Sequence, residues 1–141
     1  MTNDQMRGIY GITATPFNED ESLDLASLER VVKFTVESGC HGVVAPVMAS
    51  EFHVLTDDER KTVIERTVKT VGGRVPVVAG VTGVSNPHSI GLAKFAQDAG
   101  ADSVIAMPPN SRPTNPCEVF RFFEQLSAAV SVPIWIQNHN L

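Results

Sequence analysis

Residues 42–59 read GVVAPVMASEFHVLTDDE, and this stretch decides the fold of the chain. Its apolar first part, residues 42–47, predicts a buried strand. A short loop, residues 48–55, follows it. Thr56 then begins a helix with Glu59 three residues on, which is the spacing of a capping box. Strand, loop and capped helix form the unit in which parallel α/β proteins place their chemistry, because the loop leaves the carboxyl end of the strand.

The same unit recurs along the chain at intervals of about 30 residues, the length of a βα repeat. Five apolar runs of strand length are predicted, at residues 8–15, 42–47, 75–81, 103–107 and 133–137. Between them lie four segments with helical periodicity, which begin near Asp24, Asp57, Asn86 and Asn115. The strands are almost continuously apolar, which is typical of a parallel sheet. The predicted order is therefore β-α-β-α-β-α-β-α-β.

Two α/β architectures fit this order. One is a five-stranded doubly wound sheet. The other is the N-terminal half of a TIM (β/α)8 barrel, a fold that typically needs about 250 residues, whereas the chain has 141. The fifth strand has no covering helix after it, and the chain ends in QNHNL. We therefore expect residues 1–141 to form one partial TIM-barrel domain, truncated after the fifth strand.

Composition excludes several classes of partner. The net charge is −5 with no block of like charge, which argues against nucleic acid or an anionic membrane, since both need a basic face. The beginning, MTNDQMRG, is polar and has the features of neither a secretory signal nor an anchor, so a cytoplasmic protein is expected. Cys40 and Cys117 lie far apart with no CxxC motif, and we expect two buried thiols in a reducing compartment.

Several segments then point to one family. They are ITATPF (12–17), DLASLERVVKFTVESG (24–39), SEFHVLTDDE (50–59), GRVPVVAGV (73–81), MPPNSRP (107–113) and VPIWIQN (132–138). In this order and spacing they resemble the dihydrodipicolinate synthase and N-acetylneuraminate lyase family. Residues 50–59 fit its segment GES-x-x-L-x-x-x-E without a gap.

The resemblance implies a complete (β/α)8 barrel and an aldolase, lyase or dehydratase that acts on a 2-keto acid. In this family a lysine forms a Schiff base with pyruvate or another keto acid. A tyrosine relays protons, and a Thr-Thr pair binds the keto-acid carboxylate. The resemblance implies no metal and no cofactor. The expected partners are a small keto acid and, in a homo-oligomer, further copies of the chain.

Much of this machinery is substituted here. The family segment GTTGE falls on residues 47–51, where only Glu51 is kept and Met48 and Ala49 replace the two threonines. The proton-relay tyrosine falls on Gln137, whose amide hydrogen-bonds but does not titrate near neutral pH. The second tyrosine of PYY, often supplied across a subunit contact, falls on Asn110. The Schiff-base lysine belongs to the sixth strand and has no counterpart in this sequence.

The candidate substrate-binding residues are accordingly Thr13, Met48, Ala49, Ser50, Glu51 and Asn138, with Gln137 at the catalytic position and Asn110 at a subunit contact. Glu51 has an alternative interpretation as a structural acceptor for loop N–H groups, and Thr13 as a strand residue satisfied by backbone. The four lysines, at positions 33, 61, 69 and 94, all fall in predicted helices, where solvated side chains are expected. The four histidines show no metal-binding spacing.

Three hypotheses follow. The first is the N-terminal portion of a Schiff-base lyase or aldolase, inactive alone because the lysine strand is absent. The second is a non-catalytic half-barrel that persists by self-association, since five strands of a barrel leave two open edges and an uncovered inner face. The third is a doubly wound domain that binds a phosphate or a flavin through the Ser50 or Gly83 loop.

Overall fold

The computed structural model describes residues 6–109 and 115–138. Within them, five strands alternate with four helices. The strands are β1 (Tyr10–Ile12), β2 (Gly42–Ala45), β3 (Val77–Gly80), β4 (Ser103–Ala106) and β5 (Ile134–Ile136). The helices are α1 (Leu25–Glu37), α2 (Asp57–Val71), α3 (Asn86–Asp98) and α4 (Pro116–Ala129). The predicted number and order of elements are confirmed.

The strands form one parallel sheet in the order β1-β2-β3-β4-β5. Each strand therefore lies beside its neighbour in sequence. A doubly wound sheet requires a reversal of strand order, and this sheet has none. The architecture is the first half of a (β/α)8 barrel, as predicted, and the doubly wound alternative does not fit.

The four helices pack on one face of the sheet. One cluster joins α1 and α2 to the outward side chains of β2 and β3, and includes Leu28, Val32, Val43, Val63 and Val77. A second cluster joins α3 and α4 to β3 and β4, with Phe122 and Leu126 fully buried. This face carries most of the apolar burial and defines the outside of the barrel wall.

The opposite, concave face is filled by side chains from all five strands. Its cluster consists of Tyr10, Val44, Val47, Val78, Ile105 and Trp135. The register explains this set, because Val44 lies opposite Val78 and Ile105 lies opposite Trp135 on adjacent parallel strands. Tyr10, Ile105 and Trp135 on this expectedly open inner face are only half-buried, so the face is partly covered.

Helix α2 follows the sequence prediction closely. Its capping box is present: the Thr56 N–H donates to Glu59 Oε2 at 2.8 Å, and the Glu59 N–H donates to Thr56 Oγ1 at 3.3 Å. Gly72, with φ of 60°, ends the helix in the left-handed conformation that glycine accepts readily. The acidic first turn also complements the positive end of the helix dipole.

Other boundaries differ from prediction. The strands are shorter by one to five residues, and β2 ends before Pro46. Ser85, one residue before Asn86, caps α3 by accepting a hydrogen bond from the His88 N–H. The predicted loop at residues 48–55 holds two short 3-10 turns, Met48–Ser50 and Phe52–Val54. Among the described helices, none is long and apolar enough to cross a membrane.

Candidate functional site

The candidate site lies at the carboxyl ends of the strands. Because the strands are parallel, the segments that leave these ends meet at one rim of the sheet. We call four of them the mouth loops: residues 13–16 after β1, 46–55 after β2, 81–85 after β3 and 107–109 after β4. Gln137 and Asn138 follow β5 at the same rim.

Ser50 connects the first mouth loop to the second. Its hydroxyl donates to the Thr13 carbonyl at 2.5 Å, and the Thr15 hydroxyl donates to the Ser50 carbonyl at 2.7 Å. Ser50 is fully buried, and both threonines are almost so. Such buried hydrogen bonds fix the position of the second mouth loop, which contains Met48 and Ala49.

Thr82 connects the third mouth loop to the second and the fourth. Its carbonyl accepts a hydrogen bond of 2.7 Å from an Arg60 guanidinium nitrogen, while its hydroxyl accepts one of 3.0 Å from the Met107 N–H. The Arg60 side chain also lies over the Phe52 ring, with the guanidinium carbon 5.1 Å from the ring centroid. Burial lowers the pKa of Arg60, and the nearby Asp57 carboxylate opposes that shift.

The predicted substrate-binding residues of the second loop differ in exposure. Met48 is half-buried, whereas Ala49 and Glu51 are exposed. Glu51 has a φ of 58°, so it occupies the left-handed region between the two 3-10 turns. Among the described residues, no N–H group donates to its carboxylate. The interpretation of Glu51 as a structural acceptor is therefore not supported.

Gln137 continues the sheet beyond β5, because its N–H donates to the Ala106 carbonyl at 2.9 Å. Strand alternation places its side chain on the concave side, two residues after Trp135. Asn138 is exposed. Thr13 is buried, and its hydroxyl has no hydrogen-bond partner among the described residues. Asn110 lies outside the described residues.

No lysine lies in a mouth loop. All four lysines are on helices, at positions 33, 61, 69 and 94, as predicted. Lys33 and Lys61 pair with carboxylates on their own helices. In the part of the chain that the structure describes, no three His, Cys, Asp or Glu side chains are grouped as a metal site would require. The rim carries hydroxyl, amide and backbone groups together with the exposed Glu51 carboxylate.

Sequence reasoning missed two residues of this network, Arg60 and Thr82. A signal for Arg60 was present, because it falls on the same helical stripe as the buried Val63, Thr67 and Val71 of α2. A charged residue on an apolar stripe needs a buried partner. The sequence contained no comparable signal for Thr82, since its partners come from α2 and from the end of β4.

Fold and site together define a class: the N-terminal half of a parallel β/α barrel, with its candidate site at the carboxyl rim. The family follows from comparison with known proteins. The model of the dihydrodipicolinate synthetase family matches residues 5–140, and the chain belongs to this family.

Two relatives show the range of named activities. The chain is 34% identical over 138 residues to the 4-hydroxy-tetrahydrodipicolinate synthase of Methylobacterium radiotolerans, covering 98% of this chain and 46% of the relative. It is also 34% identical over 135 residues to the L-2-keto-3-deoxyarabonate dehydratase of Azospirillum brasilense, covering 94% and 44%. The chain thus spans about half the length of the relatives it matches.

Solved structures agree with the fold. Dihydrodipicolinate synthase from Bacillus clausii superposes with a TM-score of 0.87 at 32% identity, over 91% of this chain and 43% of that one. YagE from E. coli K12, a prophage protein of the same family solved in complex with pyruvate, gives a TM-score of 0.90 at 29% identity, over 94% and 44%.

Proposed function

We propose that this chain forms the N-terminal half of a barrel enzyme that acts on a 2-keto acid by Schiff-base chemistry, as a lyase, aldolase or dehydratase. A lysine supplied from outside the printed sequence would attack the keto carbon and release water. The resulting iminium loses a proton to give the enamine that makes or breaks a carbon–carbon bond, or that eliminates a hydroxyl group. The printed chain alone is then inactive.

The observation that carries this proposal is the buried connection of Ser50 to Thr13 and Thr15. It holds the loop after β2 in a fixed position at the rim, where barrel enzymes bind substrate. The named relatives include a synthase and a keto-deoxy-sugar-acid dehydratase, and YagE was solved with pyruvate. The compound in the dehydratase's name and pyruvate are both 2-keto acids. Cys40 is half-buried and Cys117 is exposed, so the expectation of buried thiols is wrong, but two free thiols still fit a cytoplasmic location.

The substitutions at the rim change what this site does with such a substrate. Met48 and Ala49 offer no hydroxyl to a carboxylate, so affinity for the carboxylate end depends on other groups. Gln137 donates and accepts hydrogen bonds but transfers no proton near neutral pH. We therefore expect a completed barrel to form the Schiff base faster than it carries out the later proton-transfer steps. Alternatively, it acts on a keto acid that carries its own proton-transfer group.

Borohydride trapping tests the proposal, because it reduces a Schiff base to a stable amine that mass spectrometry locates. The chain is mixed or fused with the C-terminal half of the Methylobacterium radiotolerans synthase and incubated with pyruvate. We expect one equivalent of adduct, on a lysine of the added half. Lactate, which has no keto group, is the control and should give none.

The chain alone should give no saturable adduct with pyruvate, since its lysines are on helices. A stoichiometric adduct on one of them would refute the assignment of the lysine to a later strand. A completed barrel that binds no keto acid, while the synthase's own two halves do, would refute the proposed function.

A second candidate, a non-catalytic half-barrel that associates with itself, is favoured by the exposed apolar side chains at both edges. Ile9 and Ile12 are 69% and 53% exposed beside β1, while Phe120 and Ile136 are 69% and 66% exposed at α4 and β5. Burial of such groups in an oligomer is stabilising. The double variant Phe120→Ser with Ile136→Ser tests this candidate. Val84→Ser, at an exposed apolar residue away from these two edges, is the matched control.

If self-association maintains this chain, the double variant should dissociate and the control should not, as measured by light scattering after size exclusion. A wild-type chain that is monomeric and unfolds cooperatively would contradict this second candidate.

A further inference from the structure

Arg60 is a buried cation of helix α2. Only 4% of the residue is exposed, although arginine is rarely buried unless it is paired. Among the described residues no carboxylate lies within ion-pairing distance of it, and its Nε has no hydrogen-bond partner. Its one strong hydrogen bond goes to the Thr82 carbonyl, at 2.7 Å. The structure therefore retains a charge whose burial is only partly compensated.

Packing alone does not explain an arginine here. An apolar side chain of similar length would fill the same space without loss of hydration, and such replacements of buried charges are often neutral or stabilising. What arginine adds is a planar group that donates at its edge and stacks on its face. Arg60 uses both, since its edge reaches Thr82 and its face covers the Phe52 ring.

These two contacts connect different mouth loops. Phe52 belongs to the loop after β2, and Thr82 belongs to the loop after β3. Thr82 in turn accepts a hydrogen bond from the Met107 N–H, at the start of the loop after β4. The contacts therefore run from Phe52 through Arg60 and Thr82 to Met107. Together with the link through Ser50, they join all four mouth loops.

We propose that Arg60 is a positioning residue that holds the loops after β2, β3 and β4 in one arrangement at the substrate rim. The inference rests on the proposed function in one respect: the bound group is taken to be a 2-keto acid. Arg60 itself touches no reacting atom in this scheme. It fixes the second mouth loop, which contains Met48 and Ala49, relative to the backbone at Thr82 and Met107.

Amide hydrogen exchange on the chain itself tests this, with Arg60→Met and Arg60→Lys as variants. The informative amides are Leu55, Gly83 and Met107, one in each of the three loops. In Arg60→Met we expect exchange at all three to rise by about 10- to 100-fold, the effect of losing one hydrogen bond to a charged group. Strands β2 and β3 should change little. Arg60→Lys, which keeps the charge but not the planar group, should restore part of the protection.

Two further variants make the result specific. Arg66→Met removes an arginine from the same helix that pairs with Glu29 and lies outside this network, so it should leave the three amides unchanged. Thr82→Val removes only the hydrogen bond from the Met107 N–H to the Thr82 hydroxyl. Exchange of the Met107 amide should therefore rise, and exchange of the Leu55 amide should stay slow. If Arg60→Met is too unstable to study, Phe52→Leu removes the ring on which the Arg60 guanidinium stacks, and exchange of the Leu55 amide should rise.

A uniform rise of exchange over the whole sheet in Arg60→Met, or no change at Met107, would overturn the inference. In a completed barrel, Arg60→Met should raise the keto-acid concentration for half-maximal trapping by about tenfold and leave the maximal trapping rate within about twofold. If the wild-type barrel traps no keto acid, the proposed function fails, and the exchange experiment still decides the role of Arg60.

Discussion

Tyr10 on β1 and Trp135 on β5 meet edge to face across the concave side of the sheet, with ring centroids 4.8 Å apart and planes inclined by 62°. Three strands separate them in the sheet. Their contact therefore requires a strongly curled sheet, whose first and last strands face each other across the interior of a barrel. The Trp135 Nε1–H also donates to the Met6 sulfur at 3.4 Å, so a residue that precedes β1 in the chain contacts the ring pair.

This contact depends on Gly42, which lies opposite Tyr10 in the register and beneath its ring. A Cβ at position 42 would overlap the ring, so Gly42→Ala should lower the free energy of unfolding by about 1–3 kcal/mol. Tyr10→Ala should lower it by about 3 kcal/mol through the loss of a packed ring. Urea unfolding followed by Trp135 fluorescence measures both.

The double variant provides the control. Once the ring is gone, alanine at position 42 has room and restricts the unfolded chain more than glycine does. Gly42→Ala should therefore become neutral or slightly stabilising in the Tyr10→Ala background. Additive effects of the two changes would contradict the interpretation.

The raised pKa of the Tyr10 phenol leads us to expect a loss of stability at alkaline pH. Burial, and secondarily the Asp102 carboxylate, raise the pKa of its phenol above the ordinary 10.0. A raised folded-state pKa gives stability that is fully present below the unfolded pKa and is lost as pH rises through the folded value. Tyr10 is the single tyrosine of the chain, so phenolate absorbance reports it alone. Tyr10→Phe should remove this part of the alkaline loss, and an unchanged profile would assign the loss to another group.

Gly80 lies at the end of β3, where a Cβ would overlap the carbonyl oxygen of Pro46. Backbone atoms at the end of β2 cannot rotate away as a side chain can. Gly80→Ala should therefore lower the free energy of unfolding by about 3 kcal/mol. Gly91 is the matched control, because it is an exposed helical glycine whose added Cβ would meet no atom within 4 Å. Gly91→Ala should raise stability by about 0.5–1 kcal/mol. Equal effects at the two glycines would contradict this account.

The buried hydroxyl of Ser50 should matter for stability as well as for position. Ser50→Ala leaves the Thr13 carbonyl without this donor, which should cost about 1–3 kcal/mol. Ser127→Ala, at an exposed position of α4, should change stability by less than about 0.5 kcal/mol. Denaturant midpoints compare the two. A Ser50→Ala protein as stable as the wild type would show that the first two mouth loops are held by other contacts.

The predicted replacement of carboxylate-binding threonines by Met48 and Ala49 can be tested by introducing threonine at both positions. In the completed barrel, Met48→Thr with Ala49→Thr should lower the pyruvate concentration for half-maximal borohydride trapping by about 10- to 100-fold, as expected for a hydrogen bond to a charged carboxylate. Val54→Thr, at an exposed position of the same loop, should have no effect. If the double variant traps no better than the control, the carboxylate of the substrate does not bind at residues 48–49.

Much of the fold could be predicted from local patterns. The start of helix α2 was predicted where the structure has it, because the capping box is a local signal. Strand order was not encoded so directly, and both a doubly wound sheet and a half-barrel remained possible until the pairing was known. Strand ends were predicted too long, since apolar character continues past the last ladder hydrogen bond.

The site was predicted as a set of positions, and the family resemblance supplied most of them. Met48 to Glu51 and Gln137 do lie at the rim, because each follows a strand of a parallel sheet. Their roles stay predictions. The connections among the loops were not foreseen, since Arg60, Thr82 and Met107 are far apart in sequence and share no motif.

The sequence by itself determined the repeating βα units and the family, because these depend on residue identity and short-range spacing. Only the tertiary structure decided that Tyr10 meets Trp135 inside the curl, and that a buried arginine joins the rim. Both depend on how far the sheet curves and on which side chains then come within a few ångströms of one another, which no local pattern specifies.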